Sequence, residues 1–64
     1  MLGRNIRKLR RDRDLSQEQL AEALDVSRFA TQRWEAGTNT PRAETLQRIA
    51  AYFGTTTDEL MKED

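Results

Sequence analysis

Between Ser27 and Gly37 the chain reads Ser-Arg-Phe-Ala-Thr-Gln-Arg-Trp-Glu-Ala-Gly, a run of residue types that grip rather than react. At about 100° per residue from Ser27, a helix places Ala30, Thr31 and Trp34 near 300°, 40° and 340°. Arg28, Gln32, Phe29 and Arg33 then fall near 100°, 140°, 200° and 240°, on the opposite side. A face of two guanidinium groups, an amide and an apolar ring suits the edges of bases. Arg matches guanine O6 and N7, Gln matches adenine, and a ring covers a thymine methyl. Phe29 is the sharpest feature. A lone Phe on a helix is ordinarily core, but here Ala30 and Trp34 hold the inward side and position 29 cannot share it. The plainer alternative buries Phe29 under a loop or at a dimer contact.

Catalytic chemistry has little to work with. The sequence contains no Cys and no His, which removes thiol chemistry, the commonest general base and the commonest metal ligand. The remaining carboxylate pairs, Asp12 with Asp14 and Glu63 with Asp64, belong to segments that read as exposed, with no pocket to perturb them. The expectation is a binding module, not an enzyme, with no cofactor and no metal. No apolar run approaches the roughly 18 residues of a membrane span, and the basic N-terminus lacks the apolar segment of a signal peptide.

At 64 residues the chain has room for one domain, 1–64, and removes only about 60% of its unfolded surface from water on folding. Net charge is zero, yet it is unevenly distributed. Residues 1–33 carry 8 basic and 5 acidic side chains, and residues 34–64 carry 3 and 6. The basic excess lies in Arg4, Arg7, Lys8, Arg10, Arg11 and Arg13, with Arg28 and Arg33 further on; the acidic excess ends in Asp58, Glu59, Glu63 and Asp64. One pole could face phosphates, although charge alone favours an ordinary solvated helix face.

Apolar spacing is helical throughout. Leu2, Ile6 and Leu9 predict a first helix over about 3–13. Ser16 with Gln19 spells a capping box that opens a second helix, 16–24, through Leu20, Ala21 and Leu24. Ser27 caps a third, 28–36, which stops at Gly37. Thr40 is placed as the cap of a fourth helix, with Pro41 at its first position. Its stripe of Ala43, Leu46, Ile49, Ala50 and Phe53 ends at Gly54. Thr56 with Glu59 opens a short fifth helix through Leu60. The expected fold is all-α, a compact five-helix bundle. Only Asp25-Val26-Ser27 separates the second and third helices, so they must cross steeply as a helix-turn-helix.

The runs Leu-Ser-Gln-Glu-Gln-Leu-Ala at 15–21, Val-Ser-Arg at 26–28 and Arg-Trp-Glu-Ala-Gly at 33–37 resemble the Cro and phage-repressor (XRE-type) helix-turn-helix family. Pro41, Glu-Thr-Leu at 44–46, Ile49-Ala50 and Asp-Glu-Leu at 58–60 extend the likeness over residues 5–61. The resemblance implies a lambda-repressor-like domain that binds double-stranded DNA in a sequence-specific way, as a repressor or other regulator of transcription. Its third helix would lie in the major groove. It assigns base contacts to Arg28, Phe29 and Arg33, with Gln32 beside them. Gln17, at the N-terminus of the second helix, would meet a phosphate or a base edge. Ser27, Asn39, Thr40 and Arg42 would approach the backbone, and Arg10 with Glu35 would form a structural ion pair. A weak or DNA-induced homodimer through the 38–42 loop, Tyr52 and residues 55–61 is expected, as is a cytoplasmic location for a natural regulator.

Three positions depart from the family pattern: Thr31 and Thr55 replace apolar residues, and Asp25 replaces a turn glycine. Two other readings accompany the first. Regular caps and the unusual Phe29 leave an engineered reading surface on this fold open. A protein-interaction module, such as an antitoxin or adaptor, is the alternative function, although such an interface favours fewer guanidinium groups than Arg28 and Arg33 supply.

Overall fold

Leu2, Ile6 and Leu9 line one side of the first helix, α1 (Leu2–Asp12), and Ile6 reaches complete burial. The computed structural model describes residues 2–63; Asp64, part of the acidic end, lies outside the described residues. Four more helices follow: α2 (Gln17–Leu24), α3 (Arg28–Ala36), α4 (Ala43–Phe53) and the short α5 (Thr57–Leu60). No strand occurs among the described residues. Ile6, Leu20, Leu24, Trp34, Leu46, Ile49, Ala50, Phe53 and Leu60 form one core, so every helix contributes to it. Leu2, Leu9, Leu15, Val26 and Ala30 pack around its edge.

Caps set the helix starts. Ser16 and Gln19 form the full reciprocal box at the start of α2. Ser27 Oγ accepts the Ala30 N–H at 3.2 Å, and Thr56 Oγ1 accepts the Glu59 N–H at 3.1 Å. α4 begins differently from the expectation. Its N-cap is Arg42, in extended conformation and without a side-chain cap bond, so neither Thr40 as cap nor Pro41 as first helical residue holds. Pro41 is buried, and its packed ring anchors an extended approach instead of opening the helix. The first helical bond is made by Leu46 N–H to Arg42 O at 2.8 Å.

The helix ends repeat one device. Asp14, Asp25, Gly37 and Gly54 all take left-handed backbone, with φ of 56°, 58°, 78° and 68°. After each of them the next N–H bonds five residues back, as in Val26 to Ala21 O at 3.0 Å and Thr38 to Arg33 O at 3.0 Å. These closures satisfy helix-end carbonyls and turn the chain sharply. Asp25 therefore does the work of a turn glycine while carrying a Cβ and a charge. α1 ends one residue before the expected boundary, because Arg13 and Asp14 form this closing turn.

Thr31 is fully buried, and its one hydroxyl proton is shared between Arg28 O at 2.8 Å and Gln17 O at 3.2 Å. The hydroxyl at an apolar position thus becomes a clip between α2 and α3. Thr55 is only half-buried, so its hydroxyl does not carry the desolvation cost of a fully buried polar group.

Candidate nucleic-acid interface

The outward face of α3 sets an exposed aromatic ring among two arginines and a glutamine. Thr31, Trp34 and Glu35 are buried on its inner side, whereas Arg28, Phe29, Gln32 and Arg33 are exposed. Phe29 leaves 52% of its surface open to solvent, so it belongs neither to the core nor under a loop. The Arg28 guanidinium lies over the Phe29 ring, 5.3 Å from its centroid. Arg28 Nη1 is also 3.6 Å from Glu18 Oε2 on α2, with both side chains more than half exposed. This pair adds little stability in water but gives Arg28 a direction.

The rigidity behind this face comes from Glu35. Its carboxylate is fully enclosed and accepts Arg10 Nε at 2.7 Å, Arg10 Nη2 at 2.9 Å, Gln17 Nε2 at 3.2 Å and Arg7 Nε at 3.3 Å. Arg10 Nη1 donates further to Leu15 O at 2.8 Å. Burial opposes ionisation of Glu35, but the hydrogen bonds from Arg10, Gln17 and Arg7, with the Arg10 charge, outweigh it and hold its pKa below the ordinary value. The hydrogen bond to Glu35 raises the Arg10 pKa in turn, against desolvation. A two-pronged Arg–carboxylate pair of this kind resists rotation, so α1, α2 and the end of α3 are joined at one point.

The remaining expected contact residues are dispersed around α3. Ser27 stands at its start, with its hydroxyl bound to the Ala30 N–H. Asn39, Thr40 and Arg42 are exposed in the segment after its C-terminus, where Asn39 Oδ1 accepts the Thr40 N–H at 2.9 Å. Gln17 is half-buried with its amide nitrogen committed to Glu35, an engagement that the linear sequence does not disclose.

The basic stripe of α1 is less available than its composition suggests. Arg10 is enclosed, and Arg13 donates to Tyr52 O at 2.9 Å and Phe53 O at 3.0 Å. Its guanidinium also faces both rings, 5.6 and 5.0 Å from their centroids. Arg4, Lys8 and Arg11 remain exposed, as does half of Arg7. Three further contacts escaped sequence reasoning: Asn5 donates to Leu60 O and Lys62 O, Arg48 to Leu24 O, and Gly3 lets α1 approach α3. Each joins residues far apart in the chain, so no local signal marks them.

Asp12, Asp14 and Glu63 are exposed, and no group of three His, Cys, Asp or Glu among the described residues is placed to hold a metal ion. No helix among them is long and apolar enough to cross a membrane.

Known proteins place this geometry in context. A family profile described as "Helix-turn-helix" matches residues 6–60. The HTH-type transcriptional activator BcrR of Enterococcus faecalis is 46% identical over 56 residues, covering 88% of this chain and 28% of that protein. The cryptic phage CTXphi transcriptional repressor RstR of Vibrio cholerae is 35% identical over 63 residues, 98% of this chain and 57% of its own length. The crystal structure of the clp gene regulator ClgR from Corynebacterium glutamicum superposes with a TM-score of 0.83 at 27% identity, covering 94% of this chain and 64% of that one. The chain thus spans between about a quarter and three-fifths of the length of these two sequence relatives.

Proposed function

The chain belongs to the helix-turn-helix family, and from that premise we propose that it binds double-stranded DNA sequence-specifically and so regulates transcription. α3 lies in the major groove and α2 crosses the backbone above it. Arg28, Phe29, Gln32 and Arg33 read base edges. Ser27, Asn39, Thr40 and Arg42 approach phosphates and set the register, while Gln17, its side-chain nitrogen held by Glu35, meets the backbone through the N–H groups at the start of α2. Arg10 and Glu35 hold the reading helix in place without touching DNA. One observation carries this reading: a helix locked on its inner side by Trp34, Thr31 and Glu35 presents two guanidinium groups, an amide and an open aromatic ring outward. In this reading the chain is a binding module and, as a natural bacterial or phage regulator, works in the cytoplasm.

Selection of duplexes from a randomised library, followed by a salt titration of the best one, tests the reading. The expected result is a short enriched motif containing guanine, with affinity that falls steeply as salt rises. Salt-sensitive binding without a motif removes the base-reading assignments, and no binding at low salt favours a protein partner. A weak or DNA-induced homodimer accompanies the proposal. Tyr52 and Met61 are partly exposed large apolar residues near the acidic end, and motif repeats about one helical turn apart are the expected signature.

A further inference from the structure

We propose that Arg28 and Phe29 act as one unit that reads a guanine together with the 5-methyl group of a pyrimidine in the neighbouring base pair. The chain then senses a methyl group in the major groove. The proposal rests on the reading of α3 as the major-groove helix.

The two side chains come from consecutive residues in the first turn of α3, the end of a reading helix that meets base edges. The guanidinium lies over the ring, 5.3 Å from its centroid, a cation–π contact that uses none of its N–H donors as a hydrogen bond. The N–H groups of a guanidinium lie in its plane, and only Nη1 is near a carboxylate, so Nε and Nη2 form the edge that grips guanine O6 and N7. Glu18 Oε2, at 3.6 Å from Nη1, restrains the group from the α2 side. Consecutive residues in the first turn of a major-groove helix reach neighbouring positions along the groove, so the pair addresses adjacent base pairs. A phenyl ring has no hydrogen-bonding group, and the apolar feature that a base offers in this groove is the methyl at pyrimidine C5. Thymine carries it and cytosine does not. Deoxyuridine lacks it while pairing as thymine does, and 5-methylcytosine has it while pairing as cytosine does.

The probe is the duplex most enriched by the wild-type chain from a randomised library. It is resynthesised with each thymine replaced in turn by deoxyuridine, and with that position as a C·G pair bearing either cytosine or 5-methylcytosine. Removing one methyl beside a guanine is expected to weaken binding about fourfold, the effect of exposing a single buried carbon. At that position 5-methylcytosine is expected to bind more tightly than cytosine by a similar factor. Phe29→Ala should fold normally, because the ring is open to solvent, and should bind thymine and deoxyuridine duplexes equally. Arg28→Ala should lose the guanine preference at the adjacent pair. The proposal is overturned if no deoxyuridine weakens binding, or if its effect persists in Phe29→Ala. Failure of the wild-type chain to enrich any duplex would overturn the major-groove reading itself, a result distinguishable from loss of methyl sensing alone.

Discussion

Arg33 and Glu35 stand two residues apart on α3, yet their environments assign them opposite tasks. Arg33 is exposed, and a base-contacting guanidinium at this position predicts that Arg33→Ala weakens specific binding by about 1–3 kcal/mol and relaxes preference at one base pair. Competition with single-site duplex variants checks this; an equal loss on all sequences would make Arg33 a phosphate contact. Glu35 is enclosed, with its pKa lowered because the hydrogen bonds and charge around it overcome burial. A carboxyl with a folded-state pKa below its unfolded value, about 4.3, stabilises the fold above that unfolded value. The contribution disappears as pH falls through the lower, folded value. Melting curves between pH 7 and 3 should therefore show a loss of stability at the acid end that is smaller in Glu35→Gln. Equal acid sensitivity in both proteins would contradict this role.

Two predictions belong to the scale of helices and turns. A Cβ on Gly3 would lie 2.3 Å from the Trp34 carbonyl oxygen and 3.1 Å from that of Glu35. These atoms are backbone and cannot swing aside, so α1 and α3 must separate. Gly3→Ala should cost about 1–3 kcal/mol by overpacking, although Ala is the better helix former by about 1 kcal/mol. Urea titration measures the net effect; a stabilised variant would mean that the helices slide apart at no cost. Asp25 holds φ of 58° at the C-terminus of α2, where both its Cβ and its negative charge are unfavourable. Asp25→Gly should raise stability by about 0.5–1 kcal/mol, read as a higher melting temperature. Unchanged or lowered stability would show that the aspartate side chain stabilises the turn.

At the scale of the whole molecule, a chain this short relies on contacts that join its distant parts. Arg13 reaches from the end of α1 to the last carbonyls of α4 and packs against Tyr52 and Phe53. A cation at a helix C-terminus complements the carbonyl dipoles there. Arg13→Met keeps much of the apolar stem and removes the charge and donors, and should lower stability by about 1 kcal/mol. Calorimetry of the variant would check this, since a purely solvated arginine would leave the melting temperature unchanged. Together with Arg10, this contact draws part of the basic stripe into the fold, so the chain offers fewer free cations than its composition suggests.

Helix number, the caps at Ser16, Ser27 and Thr56, and the inward and outward sides of α3 were legible in the sequence, because they depend on residues within a turn or two of one another. The period of 3.6 places Thr31 and Trp34 inside and Phe29 outside wherever that helix is packed. The start of α4 was not legible, because its N-cap, Arg42, makes no side-chain cap bond and so leaves no local signal. Nor were the donors to Glu35, the inward turn of Gln17 or the capture of Arg13 and Arg48. Those depend on which helix ends meet in space, and local spacing carries no record of that. The sequence by itself determined the elements and the chemistry available on each. Only the tertiary structure decided which of those charges hold the fold together and which remain free to meet a partner.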